Sequence, residues 1–214
     1  MTVLITGANR GIGRQLYRQY ETAQTPVIGT SREGADPFMA LDVTDEAAQT
    51  RLAAKLDTKP LSLLVCNAGV YLDKGMKFPD YTPDIFAQSF AVHVTGVYLT
   101  VRNLLPNLQI QSGAKIAIIS SQMASDTRAP GGSYAYRASK AAALNFGRNL
   151  AADLKGIGIA VGIYHPGWVQ TDMGGAAAEI TPEEAASGLR ARFDALSLET
   201  TGCFETWDGR AHPY

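Results

Sequence analysis

Tyr136 and Lys140, four residues apart, are the side chains in this sequence best suited to moving a proton. On a helix, positions i and i+4 share a face, so the phenol and the ammonium would lie side by side. A free tyrosine ionises at about pH 10, and a neighbouring ammonium favours the phenolate. The pair is therefore expected to bring the Tyr136 pKa down toward the working range of an acid/base catalyst. A surface Tyr–Lys pair without function is the competing reading, since any helix can carry one. What shifts the balance is the glycine-rich run Thr6-Gly7-Ala8-Asn9-Arg10-Gly11-Ile12-Gly13, placed between a β-rich stretch and a helical one. Glycines there let the backbone turn sharply and approach a pyrophosphate, and the helix that follows offers unpaired amides to phosphate. The spacing is G-x-x-x-G-x-G, not the commoner G-x-G-x-x-G, and a tight turn without a ligand is its plainer meaning.

These groups need a scaffold, and the chain supplies one by alternation. Strand candidates fall at 2–6, 26–30, 37–41, 61–66, 114–119, 157–163 and 202–206. Helix candidates lie between them, near 12–22, 45–56, 83–110, 134–155 and 182–198. Strand–helix alternation of this kind predicts an α/β protein built on one doubly wound parallel sheet. Thr82-Pro83 and Thr181-Pro182 each place a capping hydroxyl before a first-turn proline, and Glu184 completes capping-box spacing from Thr181. No repeat or linker interrupts the 214 residues, so one domain spanning 1–214 is expected.

Composition narrows the function classes. A formal net charge of -1 gives no electrostatic drive toward nucleic acid or anionic membrane. The two cysteines, Cys66 and Cys203, have no disulfide-framework or zinc spacing, and no metal site is expected. The first strand candidate begins at Thr2 and no apolar run is long enough to span a membrane, so a cytoplasmic protein is expected.

Other motifs follow in order. Cys66-Asn67-Ala68-Gly69 closes the fourth strand, Tyr136-Arg137-Ala138-Ser139-Lys140 lies in the fourth long helix, and Pro166-Gly167-Trp168-Val169-Gln170-Thr171 follows the sixth strand. With TGxxxGIG they resemble the glycine motif, NNAG, YxxxK and PGxVxT of the short-chain dehydrogenase/reductase family, with Cys66 in place of the first Asn. The stretches Gly131–Lys140, Pro166–Gly175 and Trp207-Asp208-Gly209 are most similar to the C-factor-like carbonyl reductases. The resemblance implies a Rossmann fold with a seven-stranded parallel sheet flanked by helices. It also implies hydride transfer between NADP(H) and a carbonyl or alcohol substrate.

Residue by residue, the resemblance makes Tyr136 the acid/base, Lys140 its tuner and a ligand of the nicotinamide ribose, and a serine at the end of strand five the group that polarises the carbonyl. The second serine of the pair is the family's choice, hence Ser121; Ser120 and Ser125 remain possible as strand-end or turn residues. The family's catalytic Asn, in a VNVxG-like pattern, falls on His93 in Val92-His93-Val94-Thr95-Gly96. An imidazole can donate and accept hydrogen bonds and titrates near neutrality, so His93 is expected to preserve the family's proton relay and add pH sensitivity. A buried structural histidine with a weakened relay is the other reading. His165 and His212 have no metal-partner spacing and are read as structural.

Cofactor contacts implied by the resemblance are Gly7, Asn9, Arg10, Gly11, Ile12 and Gly13, then Arg32, Asp42 and Val43 around the adenosine. Asn67, Ala68 and Gly69 would approach the ribose, and Pro166, Gly167, Val169 and Thr171 the carboxamide. The second strand closes on Gly29-Thr30-Ser31-Arg32 without an acid, and guanidinium suits a 2′-phosphate, so NADP is expected over NAD. Glu33 is the dissenting charge, expected to point to solvent. A short lid, Trp168 to about Thr181, would leave an open cleft walled by Trp168, Met173, Met123 and Tyr134, suited to a hydrophobic or aromatic ketone, aldehyde or quinone. The family implies pairing through helices 83–110 and 134–155, in a homodimer or homotetramer. The rival function is a sensor that binds NADP(H) without turning over, favoured by His93 and Cys66 and opposed by Ser121, Tyr136 and Lys140 together.

Overall fold

The computed structural model describes residues 1–127 and 129–214. Seven parallel strands form one sheet in the order β3-β2-β1-β4-β5-β6-β7. They are β1 (Val3–Ile5), β2 (Val27–Ser31), β3 (Met39–Ala40), β4 (Leu63–Cys66), β5 (Lys115–Ile119), β6 (Ala160–His165) and β7 (Phe204–Thr206). The central strands are apolar on both faces because helices cover both. Leu4, Leu64, Ile116 and Val161 pack with α2 (Glu46–Lys55) and α4 (Gly96–Ile110). Their alternates Val3, Ile5, Leu63, Val65 and Ala117 pack with α1 (Gly11–Thr22) and α6 (Pro182–Ala195). This period-two division yields one core on each side of the sheet.

Strand order reverses between β1 and β4, which opens a crevice at the carboxyl ends of the strands where ligands bind in such sheets. Two helices bring side chains to that end. α5 (Tyr134–Lys155) buries Tyr136, Ser139, Lys140, Ala143, Leu144 and Gly147 along one stripe. A side chain at Gly147 would fall 2.7 Å from Ile163, so glycine is what lets α5 lie close on β6.

Four sequence expectations are corrected. The single helix over 83–110 is α3 (Pro83–Phe90), a π turn (Ala91–Thr95) and α4. The wider turn carries His93 inward and lets Gly96 meet Val43, where a Cβ would come within 2.9 Å. Thr82 precedes Pro83 but makes no side-chain cap, whereas Thr181 and Glu184 form the full capping box. The strand expected at 157–163 runs Ala160–His165, because Gly158, at φ 79, turns the chain after α5. The last helix ends at Ala195, short of 198.

Candidate active site

Burial brings Ser121, Tyr136 and Lys140 together from two elements, the end of β5 and the first two turns of α5. The Ser121 hydroxyl accepts the Met123 N–H at 3.1 Å and hydrogen-bonds the Tyr136 phenol. Ser120 faces the other way and donates to the Lys140 carbonyl at 3.1 Å; Ser125 is engaged with Thr127 and the Tyr214 carbonyl. The pair's second serine is thus the one beside the phenol.

The acidities differ from the expectation. Burial pushes the Tyr136 phenol up to about 12, Tyr71 and Asp73 add to that rise, and only the Ser121 hydrogen bond opposes it. The Lys140 ammonium donates to the Ile119 carbonyl at 2.9 Å and stands 5.7 Å from the phenol ring centre. Burial also brings Lys140 down to about 8. Desolvation disfavours the charged form of each, which is why the phenol's value rises while the ammonium's falls.

His93 lies against this pair, its ring edge-on to Tyr136 at 5.6 Å between centres. Its Nε2 accepts the Val70 N–H at 3.1 Å, so Nδ1 carries the proton and donates to Ser139 at 2.8 Å. Ser139 donates in turn to the Tyr136 carbonyl at 3.0 Å. Burial, then the Lys140 charge, lower the His93 pKa to about 2. The imidazole is neutral and does not titrate near neutrality, contrary to the expected pH sensitivity. From the opposite side Tyr71 stacks on Tyr136, with centres 4.2 Å apart, and its hydroxyl bonds Ser133 at 2.6 Å.

The glycine loop is held open by Asn67 and Thr6. The Asn67 amide donates to the Thr6 and Gly7 carbonyls at 2.9 and 3.0 Å, and the Thr6 hydroxyl accepts the Asn67 and Ala68 N–H groups. Asn67 therefore shapes the loop through its side chain. Gly7 and Gly11 have φ of 65 and 54, and a Cβ at Gly13 would overlap the Gly7 carbonyl and the Asn67 amide. A side chain at Gly11 would meet Thr171 at 3.3 Å, so the post-β6 segment lies across the loop. At Gly69 a Cβ would sit 3.4 Å from His93 and 3.7 Å from Lys140, so the chain at 67–69 passes directly over the buried Tyr136–Lys140 cluster.

At the β2 end, a cleft of about 330 Å³ is lined by Asn9, Arg14, Arg18, Ser31, Glu33 and Phe38, among others. Glu33 borders it and is exposed, in keeping with the expected solvent-facing orientation. Arg32 is exposed, and Arg10 pairs across the loop with Asp172 at 3.6 Å. Asp42 caps its own turn by accepting from the Thr44 N–H and hydroxyl. Val43 buries its side chain against Gly96.

The lid residues are placed separately. Gly167 takes φ 89 after Pro166, Val169 is buried and bridges Ile180, and Trp168 ties the segment by donating to the Gly174 carbonyl at 3.0 Å. The Met173 carbonyl accepts from Lys74 at 2.9 Å, linking the segment after β6 to the β4–α3 connection. Tyr134 packs edge-on against Phe78 and Tyr81, and Met123 follows Ser121 in a 3-10 turn. His165 and His212 stack edge-on under the C-terminal strand. Tyr71, Asp73 and Ser139 were not anticipated: the first two lie outside any motif, and Ser139 is masked as a variable position inside YxxxK.

Residues 1–181 match the short chain dehydrogenase family. A 1-hydroxy-2-glutathionyl-2-methyl-3-butene dehydrogenase of Rhodococcus sp. is 35% identical, with 97% of each chain covered. The C-signal protein of Myxococcus xanthus is 34% identical over 76% of this chain and 98% of its own. The solved NADPH-bound carbonyl reductase from chicken fatty liver superposes with a TM-score of 0.91 at 28% identity, covering 100% of this chain and 98% of that one. The carbonyl reductase Sniffer of D. melanogaster gives the same score at 26% identity, covering 100% and 99%. A seven-stranded parallel sheet, a glycine loop pinned by Asn67, and a buried tyrosine–lysine–serine cluster agree with that match, and the chain belongs to the short-chain dehydrogenase/reductase family of oxidoreductases.

Proposed function

We propose that this chain is an NADP(H)-dependent carbonyl reductase in which Tyr136 exchanges a proton with the substrate oxygen. The observation that carries the proposal is the meeting of Ser121, Tyr136 and Lys140 in one buried cluster beneath Gly69. The glycine cradle fits a dinucleotide: three glycines stand where a Cβ would fill the space or strain the turn, at the N-terminus of α1. When bound, the nicotinamide supplies or accepts the hydride. Ser121 donates a hydrogen bond to the carbonyl oxygen as charge develops there, and Tyr136 delivers the proton. With the phenol high in pKa, Tyr136 is fully protonated at neutral pH and poised for reduction. Lys140, near 8, is the group that titrates in the working range and holds the ribose hydroxyls. His93 serves as a neutral hydrogen-bond link from Val70 to Ser139, not as a titrating relay.

NADP is favoured because β2 closes on Ser31-Arg32 without an acid, Arg14 and Arg18 line the cleft at that strand end, and Arg10 stands exposed in the glycine loop. The similar chicken enzyme carries NADPH. Pro166, Gly167, Val169 and Thr171 would meet the carboxamide, Asp42 and the Val43 backbone the adenine. Met123, Tyr134, Trp168 and Met173 would wall an apolar carbonyl substrate beneath a lid over 168–181. Among the described residues no helix is long and apolar enough to cross a membrane. The reading is of a cytoplasmic homodimer or homotetramer, associating through α4 and α5, where Tyr98 and Ile110 are exposed.

The test is NADPH oxidation with aromatic ketones, aldehydes and quinones, beside NADH and a Tyr136→Phe control. Turnover with NADPH that disappears in the control supports the reductase. Tight NADPH binding with no turnover across the panel would favour a sensor, the reading to which similarity to the C-signal protein lends weight.

A further inference from the structure

One buried acid takes no part in the proton transfer above. Asp73 is fully enclosed, on the connection between β4 and α3. It is directed at the start of the catalytic helix. α5 has 22 residues and begins without a cap of its own, since Ser133 makes no side-chain bond to the first turn. Gly131, Gly132 and Ser133 have φ of 85, 69 and 49, three successive left-handed residues leading into the helix. Such a run offers the first amides no local acceptor and is tolerated chiefly because two of the three are glycine. The missing acceptor comes from 62 and 63 residues earlier: Asp73 Oδ2 takes the Ala135 N–H at 2.9 Å and the Tyr136 N–H at 3.3 Å. An anion here meets the positive end of the helix and makes charge-assisted bonds to backbone amides.

We propose that Asp73 is the positioning residue of Tyr136, a cap lent by the β4–α3 connection that seats the first turn of α5 and places a negative charge beside the tyrosine. The groups facing the phenol are Lys140 on α5, Ser121 at the end of β5, Tyr71 and Asp73 on the β4–α3 connection, and His93 on the π turn. His93 is neutral, and Ser121 opposes the rise that Tyr71 and Asp73 impose. Facing Asp73 itself is the Tyr81 hydroxyl, which also accepts the Tyr134 N–H at 3.2 Å. The connection thus holds the catalytic tyrosine by its backbone through Asp73 and by its ring through Tyr71. The kinetic part of the proposal rests on the reductase reading; the capping part does not.

The experiment compares wild type, Asp73→Ala and Asp73→Asn. Alanine removes both the acceptor and the charge, whereas asparagine keeps an acceptor oxygen. The expectation for Asp73→Ala is a fall in kcat of about 30-fold, with the KM for NADPH held within about twofold, because the cofactor cradle is untouched. Asp73→Asn recovers most of that kcat, and the alkaline limb of its pH–rate profile, where the phenol ionises, moves to lower pH because removing a negative charge favours the phenolate. Hydrogen exchange at the Ala135 and Tyr136 amides accelerates in Asp73→Ala and stays slow in Asp73→Asn. That arm needs no turnover, so it judges the cap even if the wild type reduces nothing. An unchanged kcat with protected amides in Asp73→Ala would overturn the proposal. So would an Asp73→Asn variant with an unmoved pH profile, which also decides the matter if Asp73→Ala does not fold.

Discussion

Two regions of the crevice are built on opposite terms. Around Tyr136 the polar groups are buried and interlocked: Asp73 holds the amide, Ser139 the carbonyl, Ser121 the hydroxyl, and Tyr71 and His93 the ring. Across the glycine loop, at the rim, Arg10 and Asp172 meet at 3.6 Å with side chains 62% and 83% exposed. Bonds in the first region are made away from water and act as a unit; the ion pair in the second is solvated and weak. The geometry around the phenol is therefore fixed by the fold, while the rim of the glycine loop is left adjustable.

The sharpest way to break this contrast is at the phenol. Tyr136→Phe is expected to lower kcat by about 10³-fold, the size of a lost general acid, while NADPH binding followed by fluorescence stays close to wild type. A small loss would mean that the buried corner does not carry the chemistry. Next in size is Gly13→Ala, whose methyl would overlap the Gly7 carbonyl and the Asn67 amide. It should remove about 3 kcal/mol of stability in urea titration and weaken NADPH binding more than tenfold.

A third effect belongs to His93. Its folded pKa is depressed to about 2 from 6.5, so below pH 6.5 the unfolded chain binds a proton that the folded chain refuses. Stability from this group is present above pH 6.5 and is lost as pH falls. Wild type should lose roughly 2 to 3 kcal/mol more than His93→Asn between pH 6.5 and 4.5, measured by denaturation at each pH. Above pH 6.5 the pH–rate profiles of the two should coincide, which would separate a neutral link from a titrating relay. The smallest effect is expected at the rim. Asp172→Ala should change stability by less than about 0.5 kcal/mol, and the NADPH KM by about twofold at most, with the change fading in high salt. A large effect there would erase the contrast between the two regions.

Much of the scaffold was legible because it rests on local pattern. Apolar runs bounded by glycine and proline located all seven strands, and the Thr181–Glu184 capping box appeared at the residues expected. The long helix over 83–110 was misjudged at one point, since nothing in Ala91–Thr95 distinguishes a π turn from an α turn without its long-range partners Val70, Ser139 and Val43. Tyr136 and Lys140 were legible from spacing. Asp73 was not, because a cap supplied from another connection leaves no trace in the sequence around the helix it caps.

Local sequence specifies the parallel α/β scaffold, the glycine turn before α1, and the four-residue step that places Tyr136 and Lys140 on one face. Each of these follows from backbone preferences and side-chain periods that act over a few residues. The tertiary structure alone decided that Ser121 and not Ser120 meets the phenol, that Asp73 caps α5, and that His93 is neutral. It also decided that Tyr136 rises to about 12 while Lys140 falls to about 8. Those outcomes depend on burial and on groups dozens of residues distant, and desolvation exists only once the chain has closed around the group it isolates.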